Sequence, residues 1–248
     1  MTRVLERGDV FFFYRPKVDA DEVRSLDDVA RFFFVLDPDD LDWDRMVVVG
    51  RKRLPDAERH ERAWALVAEV EASPEQVRRD LGPRKYRTKT RGVRVRPRAR
   101  PVGEGRYVLA DHEGHTHLAY GLELPPEPLE AQRLFGIDRQ ASYIVAVRNP
   151  EMPAPPSAGM PRVRPVELPP ELLRRFGDRR WLAVEDRALL DHPGVQLVLI
   201  GASEAAEAEL GVRLETESET LATSELLADL GLRPGELPLE PWVQGRLR

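Results

Sequence analysis

The chain has 248 residues, enough for one large or two modest domains, of which 42% are hydrophobic and 33% charged. Its 38 basic and 43 acidic side chains leave a formal net charge of −5, which disfavours a generally basic nucleic-acid or membrane-surface protein but leaves room for a local basic patch. Cysteine is absent, which excludes disulfides, thiol nucleophiles and cysteine-ligated metal sites. No apolar run approaches the ~18 residues of a membrane span. The expectation is a soluble cytoplasmic protein with no membrane contact.

Val10-Phe-Phe-Phe-Tyr14, bounded by Gly8-Asp9 and Arg15-Pro16, reads as a buried strand. Arg31–Leu36 and Met46–Gly50 read as two more, joined by polar turns, which suggests a small antiparallel sheet or barrel. The turn bearing Asp37, Asp39, Asp40, Asp42 and Asp44 is acidic enough to suggest a calcium loop. Leu41 stands where a ligand is needed and the bend glycine is missing, so it reads as a solvated hairpin loop.

Over these first fifty residues, the series Arg7-Gly8-Asp9-Val10, Phe33-Val35-Leu36 and Val47-Val48-Val49 resembles the strand order of PemK/MazF-like toxin barrels. The resemblance implies a small barrel. Arg31 stands where those toxins carry an arginine ahead of the second strand, but Lys52 takes the place of their threonine after the third. Ribonuclease chemistry is therefore not carried over. The opening Glu6-Arg7-Gly8-Asp9, followed by Phe12-Phe13-Tyr14-Arg15-Pro16, also resembles that of a bacterial family of conserved hypothetical proteins, which implies no activity.

Between Asp56 and Gly82 the spacing of Trp64, Leu66, Val67 and Val70 predicts a helix. A second helix is predicted after Ser73-Pro74-Glu75-Gln76, with serine as N-cap, proline in the first turn and Gly82 at the stop. Their apolar face is expected to pack on a sheet.

The densest positive charge follows: nine of the seventeen residues from Arg84 to Arg100 are Lys or Arg, and none is acidic. Arg87, Lys89 and Arg91 alternate with Tyr86, Thr88 and Thr90; beyond Gly92, Arg94 and Arg96 alternate with Val93 and Val95, and Arg98 and Arg100 keep step. In an extended chain this pattern lines the cations along one face. A basic stripe beside an aromatic is a footprint of phosphate binding, which makes Arg87, Lys89, Arg91, Arg94, Arg96 and Arg98 candidate polyanion contacts. Alternatively, these cations pair with the surplus carboxylates or blunt an edge strand.

Arg106–His112 and His115–Leu122 read as a hairpin turning at Glu113-Gly114. A two-residue turn sets His112 opposite His115 and Ala110 opposite His117, so the three imidazoles share one face while Tyr107, Leu109, Leu118, Tyr120 and Leu122 form the core side. His112, His115 and His117, with Asp111 or Glu113, are candidate metal ligands or general bases. The alternative is a set of surface or hydrogen-bonding histidines.

Residues 150–170 are proline-rich and read as a semi-rigid linker. Beyond it, strands at Trp181–Val184 and Val195–Ile200 alternate with helices at Glu171–Phe176, Ala188–Asp191, Glu204–Leu210 and Glu217–Leu230, which suggests a small α/β lobe. The junction at Gly201 lacks a glycine-rich phosphate loop, and Glu204 and Glu207 in the first helical turn would repel a phosphate, so nucleotide binding there is rejected.

The expected class is α+β. A β-rich domain over 1–149, with a helical insertion at 56–82, precedes the 150–170 linker and an α/β lobe with an irregular tail over 171–248. The expected function is a non-enzymatic module contacting nucleic acid or an acidic protein through the basic strand. The alternatives are a metal-dependent hydrolase built on the three histidines and a protein–protein adaptor using the helices and linker. Neither a cofactor nor an oligomeric state is implied.

Overall fold

The computed structural model describes residues 1–18, 22–71, 73–90, 92–153, 166–229 and 237–247. Eight antiparallel strands close into a barrel: β1 (Arg3–Pro16), β2 (Val29–Pro38), β3 (Asp44–Val49), β4 (Arg62–Glu71), β7 (Arg100–His112), β8 (His115–Leu124), β9 (Gln140–Arg148) and β11 (Gln196–Ser203). Around the circumference they run β9-β11-β4-β3-β2-β1-β7-β8, and β8 pairs back onto β9 to close the ring. A short strand, β10 (Trp181–Ala183), adds to β9 from outside the ring. Two further strands, β5 (Arg84–Thr88) and β6 (Gly92–Arg96), form a separate two-stranded sheet.

Residue parity places the core. Along β1, Val10, Phe12 and Tyr14 point into the barrel, where Phe12 meets Tyr120 edge-on with ring centroids 5.0 Å apart. An eight-stranded barrel is just wide enough for side chains to fill it. The cavities beside Phe12 and beside Arg45 are each only about 10 Å³, no more than the space of one water. Phe11 and Phe13 point outward and are buried too, under Val77 and Leu81 of α1 (Pro74–Leu81) and under Leu226, Leu227 and Trp242. Burial on both faces explains why this strand is continuously apolar rather than alternating.

Each end of the barrel is closed differently. Phe135, just after α2 (Glu130–Leu134), stacks on Tyr14 at 4.9 Å and on Phe32 at 5.1 Å. At the opposite end Arg45, fully buried, donates to Glu6 Oε1 and Asp191 Oδ1, both at 2.6 Å, and the Tyr107 hydroxyl donates to the same Glu6 oxygen at 2.6 Å. A buried guanidinium is held here by two carboxylates, each hydrogen-bonded again.

The helix expected within 56–71 is strand β4. Its inward positions are Ala63, Ala65 and Val67, and the bulky Trp64 and Leu66 point to the other face. Small residues at the tightly packed inner positions hide the two-residue period. The helix expected after Ser73 forms as α1.

The expected α/β lobe is likewise not a separate sheet. Its strand β11 lies between β4 and β9 and completes the barrel. From α3 (Pro170–Phe176), Leu172 and Phe176 join the same apolar cluster as Phe34 and Val47. Gly201 serves close packing: a Cβ there would overlap the Asp56 carbonyl oxygen. The helix expected over 217–230 is reduced to α5 (Glu225–Asp229), because Thr220 and Thr223 bond into a local turn and Ser224 Oγ accepts from the Leu227 amide. Two further short helices, α4 (Ala206–Leu210) and α6 (Glu240–Val243), complete the chain. Most of the proline-rich stretch, 154–165, lies outside the described residues. No helix among the described residues is long and apolar enough to cross a membrane.

Candidate nucleic-acid interface

The basic segment forms a projecting ribbon. β5 and β6 pair antiparallel with Arg84 opposite Arg96, Lys85 opposite Val95, Tyr86 opposite Arg94 and Arg87 opposite Val93. The chain reverses between Thr88 and Gly92, and Gly92 takes φ 70°, a conformation that suits glycine. Arg84, Lys85, Arg87 and Lys89 are exposed, as are the apolar Tyr86, Val93 and Val95 at 42%, 66% and 45%. Such surface is unusual for a chain that otherwise buries its large apolar residues.

The six candidate cations do not share one face. Paired residues are both odd-numbered or both even-numbered, while the cations fall on odd numbers before Gly92 and even numbers after it. Lys85, Val95, Arg87 and Val93 therefore make one face, and Arg84, Arg96, Tyr86 and Arg94 the other. The single stripe expected from an extended chain becomes a ribbon positive on both faces. Lys89 sits in the turn and half-buried Arg98 follows β6, while Arg91 lies outside the described residues. Lys85, Arg87 and Lys89 make no ion pair among the described residues.

The ribbon is anchored at its root by Arg15, which in the sequence marks only the end of a strand. Arg15 is 4% exposed. Its guanidinium donates to the carbonyls of Asp80 at 2.6 Å, Gly82 at 3.2 Å and Pro97. It thereby caps the C-terminus of α1 and grips both ends of the ribbon, where a cation also suits the helix dipole. The Ala99 amide adds a bond to Leu81 O at 2.8 Å. Burial, together with Arg96 and Arg31 nearby, pushes the Arg15 guanidinium down to about 10. Arg96 donates to Asp80 O at 3.3 Å, while its Nε has no partner. Positive charge is thus concentrated at the root and spread along an exposed tip.

The three histidines adopt the expected register, His112 opposite His115 and Ala110 opposite His117, around a turn in which Glu113 and Gly114 both have positive φ. His112 and His117 meet edge-on with ring centroids 5.8 Å apart. Each is engaged separately: His112 Nδ1 bonds Thr2 Oγ1 at 2.7 Å, and His117, 4% exposed, lies 3.9 Å from Glu209 Oε1. Glu209 also accepts from Ser142 Oγ. Burial lowers the His117 imidazole below its ordinary value, against the opposite pull of Glu209. Nearby Asp111 pairs with Arg3 at 3.4 Å, and Glu113 is exposed.

Among the described residues, metal-ligating side-chain atoms gather within 4.8 Å of one another at Asp9, Glu123 and Glu225 and at Glu69, Glu71 and Asp80, and not at the histidines. No motif spacing joins these carboxylates, which come from distant strands, so the sequence carries no signal for them. No protein family, curated protein or solved structure matches the chain.

Proposed function

We propose that this protein binds nucleic acid through the 84–96 ribbon. The observation that carries the reading is an exposed two-stranded ribbon, with cations on both faces and no acidic side chain, anchored on a rigid barrel. A two-stranded ribbon has the cross-section of a nucleic-acid groove, and cations on both of its faces meet the phosphates on either side. Tyr86 offers a ring for base stacking, and Val93 and Val95 offer apolar contact. The net charge of −5 over the whole chain confines the attraction to this ribbon and opposes wrapping of the nucleic acid around the barrel.

The test is a fluorescence-anisotropy titration of labelled duplex and single-stranded DNA and RNA, from about 50 to 200 mM salt, on wild type and a Lys85→Ala/Arg87→Ala/Lys89→Ala variant. Every phosphate that the variant no longer neutralises should reduce the slope of log K against log salt by about one. The variant, whose three side chains lie off the barrel, should keep its thermal midpoint. Salt-independent binding, or equal slopes for the two proteins, refutes the reading.

A further inference from the structure

On the outer barrel wall, away from the ribbon, Asp9 of β1, Glu104 of β7 and Glu123 of β8 present carboxylates under the C-terminal segment that carries Glu219 and Glu225. Register brings the strand residues together. Asp9 pairs with Arg106, two positions from Glu104, and Glu104 pairs with Leu124, the neighbour of Glu123. Carboxylate oxygens of Asp9, Glu123 and Glu225 lie within 4.8 Å of one another. The neighbouring cation, Arg106, donates to Asp9 Oδ1 at 2.7 Å but shares its charge with Asp39 Oδ2 at 2.6 Å.

A second observation concerns Glu104 itself. Its side chain is 1% exposed, and Oε2 accepts from Ser224 Oγ at 2.9 Å and the Leu226 amide at 3.1 Å. Oε1 is buried and meets no donor. The adjacent side chain is Glu219, another acceptor, whose charge is felt at Glu104, Glu123 and Glu225 alike. A buried anionic oxygen facing more anionic oxygens requires a positive partner.

We infer that Asp9, Glu104, Glu123, Glu219 and Glu225 form a binding site for one hard divalent cation, such as Ca²⁺, Mg²⁺ or Mn²⁺, that clamps the C-terminal segment to the barrel wall. The donor set is all oxygen, which suits these ions and offers no nitrogen or sulfur to Zn²⁺. Three ligands come from the barrel and two from the segment, so an ion here cross-links elements more than ninety residues apart in sequence. The same segment covers Phe11 and Phe13 with Leu226 and Leu227, so the clamp would hold an apolar lid in place. Without an ion, burial and mutual repulsion hold Glu104 up to about 9, Glu225 to about 8 and Glu123 to about 7, so protons take the place of the cation.

The test uses untagged full-length protein stripped with EDTA and dialysed free of it. Ca²⁺, Mg²⁺ and Mn²⁺ are each titrated by calorimetry, with thermal unfolding measured alongside. The expected result is one equivalent of at least one ion and a thermal midpoint raised by that ion. Tb³⁺ should give tryptophan-sensitised emission, because Trp242 Nε1 bonds the carbonyl of Leu124, next to Glu123. Glu123→Gln/Glu225→Gln should lose at least tenfold in affinity, and its ion-free form should be no less stable than wild type because it removes buried repulsion. Glu69→Gln/Glu71→Gln, at the other acidic group, should bind as wild type does. The inference is overturned if no ion binds at millimolar concentration, or if the Glu123/Glu225 variant binds as tightly as wild type.

Discussion

Replacing Arg45 by methionine tests how the polar end of the barrel is held. The side chain is fully buried, with two charge-assisted bonds of 2.6 Å to Glu6 and Asp191. Methionine fills most of the same volume, so the loss is that of a charge with little added cavity. Asp191 remains partly exposed and keeps the Trp43 indole donor at 3.0 Å, but Glu6 remains fully buried. Removing one partner of a buried pair costs about 3–5 kcal/mol. The lower end applies here, because Glu6 retains the Tyr107 hydroxyl and the Arg187 guanidinium at 3.6 Å. A loss of ~3 kcal/mol corresponds to a thermal midpoint lower by ~6–12 °C for a chain of this size. Urea unfolding followed by circular dichroism measures it, and a cycle with Glu6→Gln isolates the pair. The double variant should be less destabilised than the sum of the singles by at least ~1 kcal/mol. Additivity within ~0.5 kcal/mol, or an Arg45→Met cost below ~1 kcal/mol, would refute the view that this pair holds the barrel end.

Arg15→Met removes the grip on the ribbon root; amide exchange should accelerate in α1 and at residues 84–96 while the barrel strands keep their protection, and uniform acceleration would show that Arg15 supports the whole core instead. His117 predicts an acid limit. Its folded-state pKa lies below the ordinary 6.5, so its contribution to stability is present above 6.5 and is lost as pH falls through the lower folded value. His117→Gln should flatten the stability profile below pH 6.5, and an unchanged profile would assign the acid limit to other groups.

Much of the barrel is legible in the sequence. Where a strand is buried on both faces, as at Val10–Tyr14, a continuous apolar run announces it; where a tight turn fixes register, as at Glu113-Gly114, cross-strand partners follow from counting. The 62–71 strand reads as a helix because Ala63 and Ala65 carry too little hydrophobic signal for a period of two to show. The ribbon's cations are visible as composition, but their division between two faces depends on where the chain reverses.

The amino-acid sequence by itself determined that the chain is cysteine-free, that its positive charge is concentrated between Arg84 and Arg100, and that His112 faces His115, because these depend on composition or on pairings a few residues apart. Only the tertiary structure decided that β11 closes the barrel between β4 and β9, that Arg15 holds the ribbon, and that Asp9, Glu104, Glu123 and Glu225 converge. These are contacts between residues far apart in the chain. Ring closure and packing select them, and no local periodicity encodes which distant strands become neighbours.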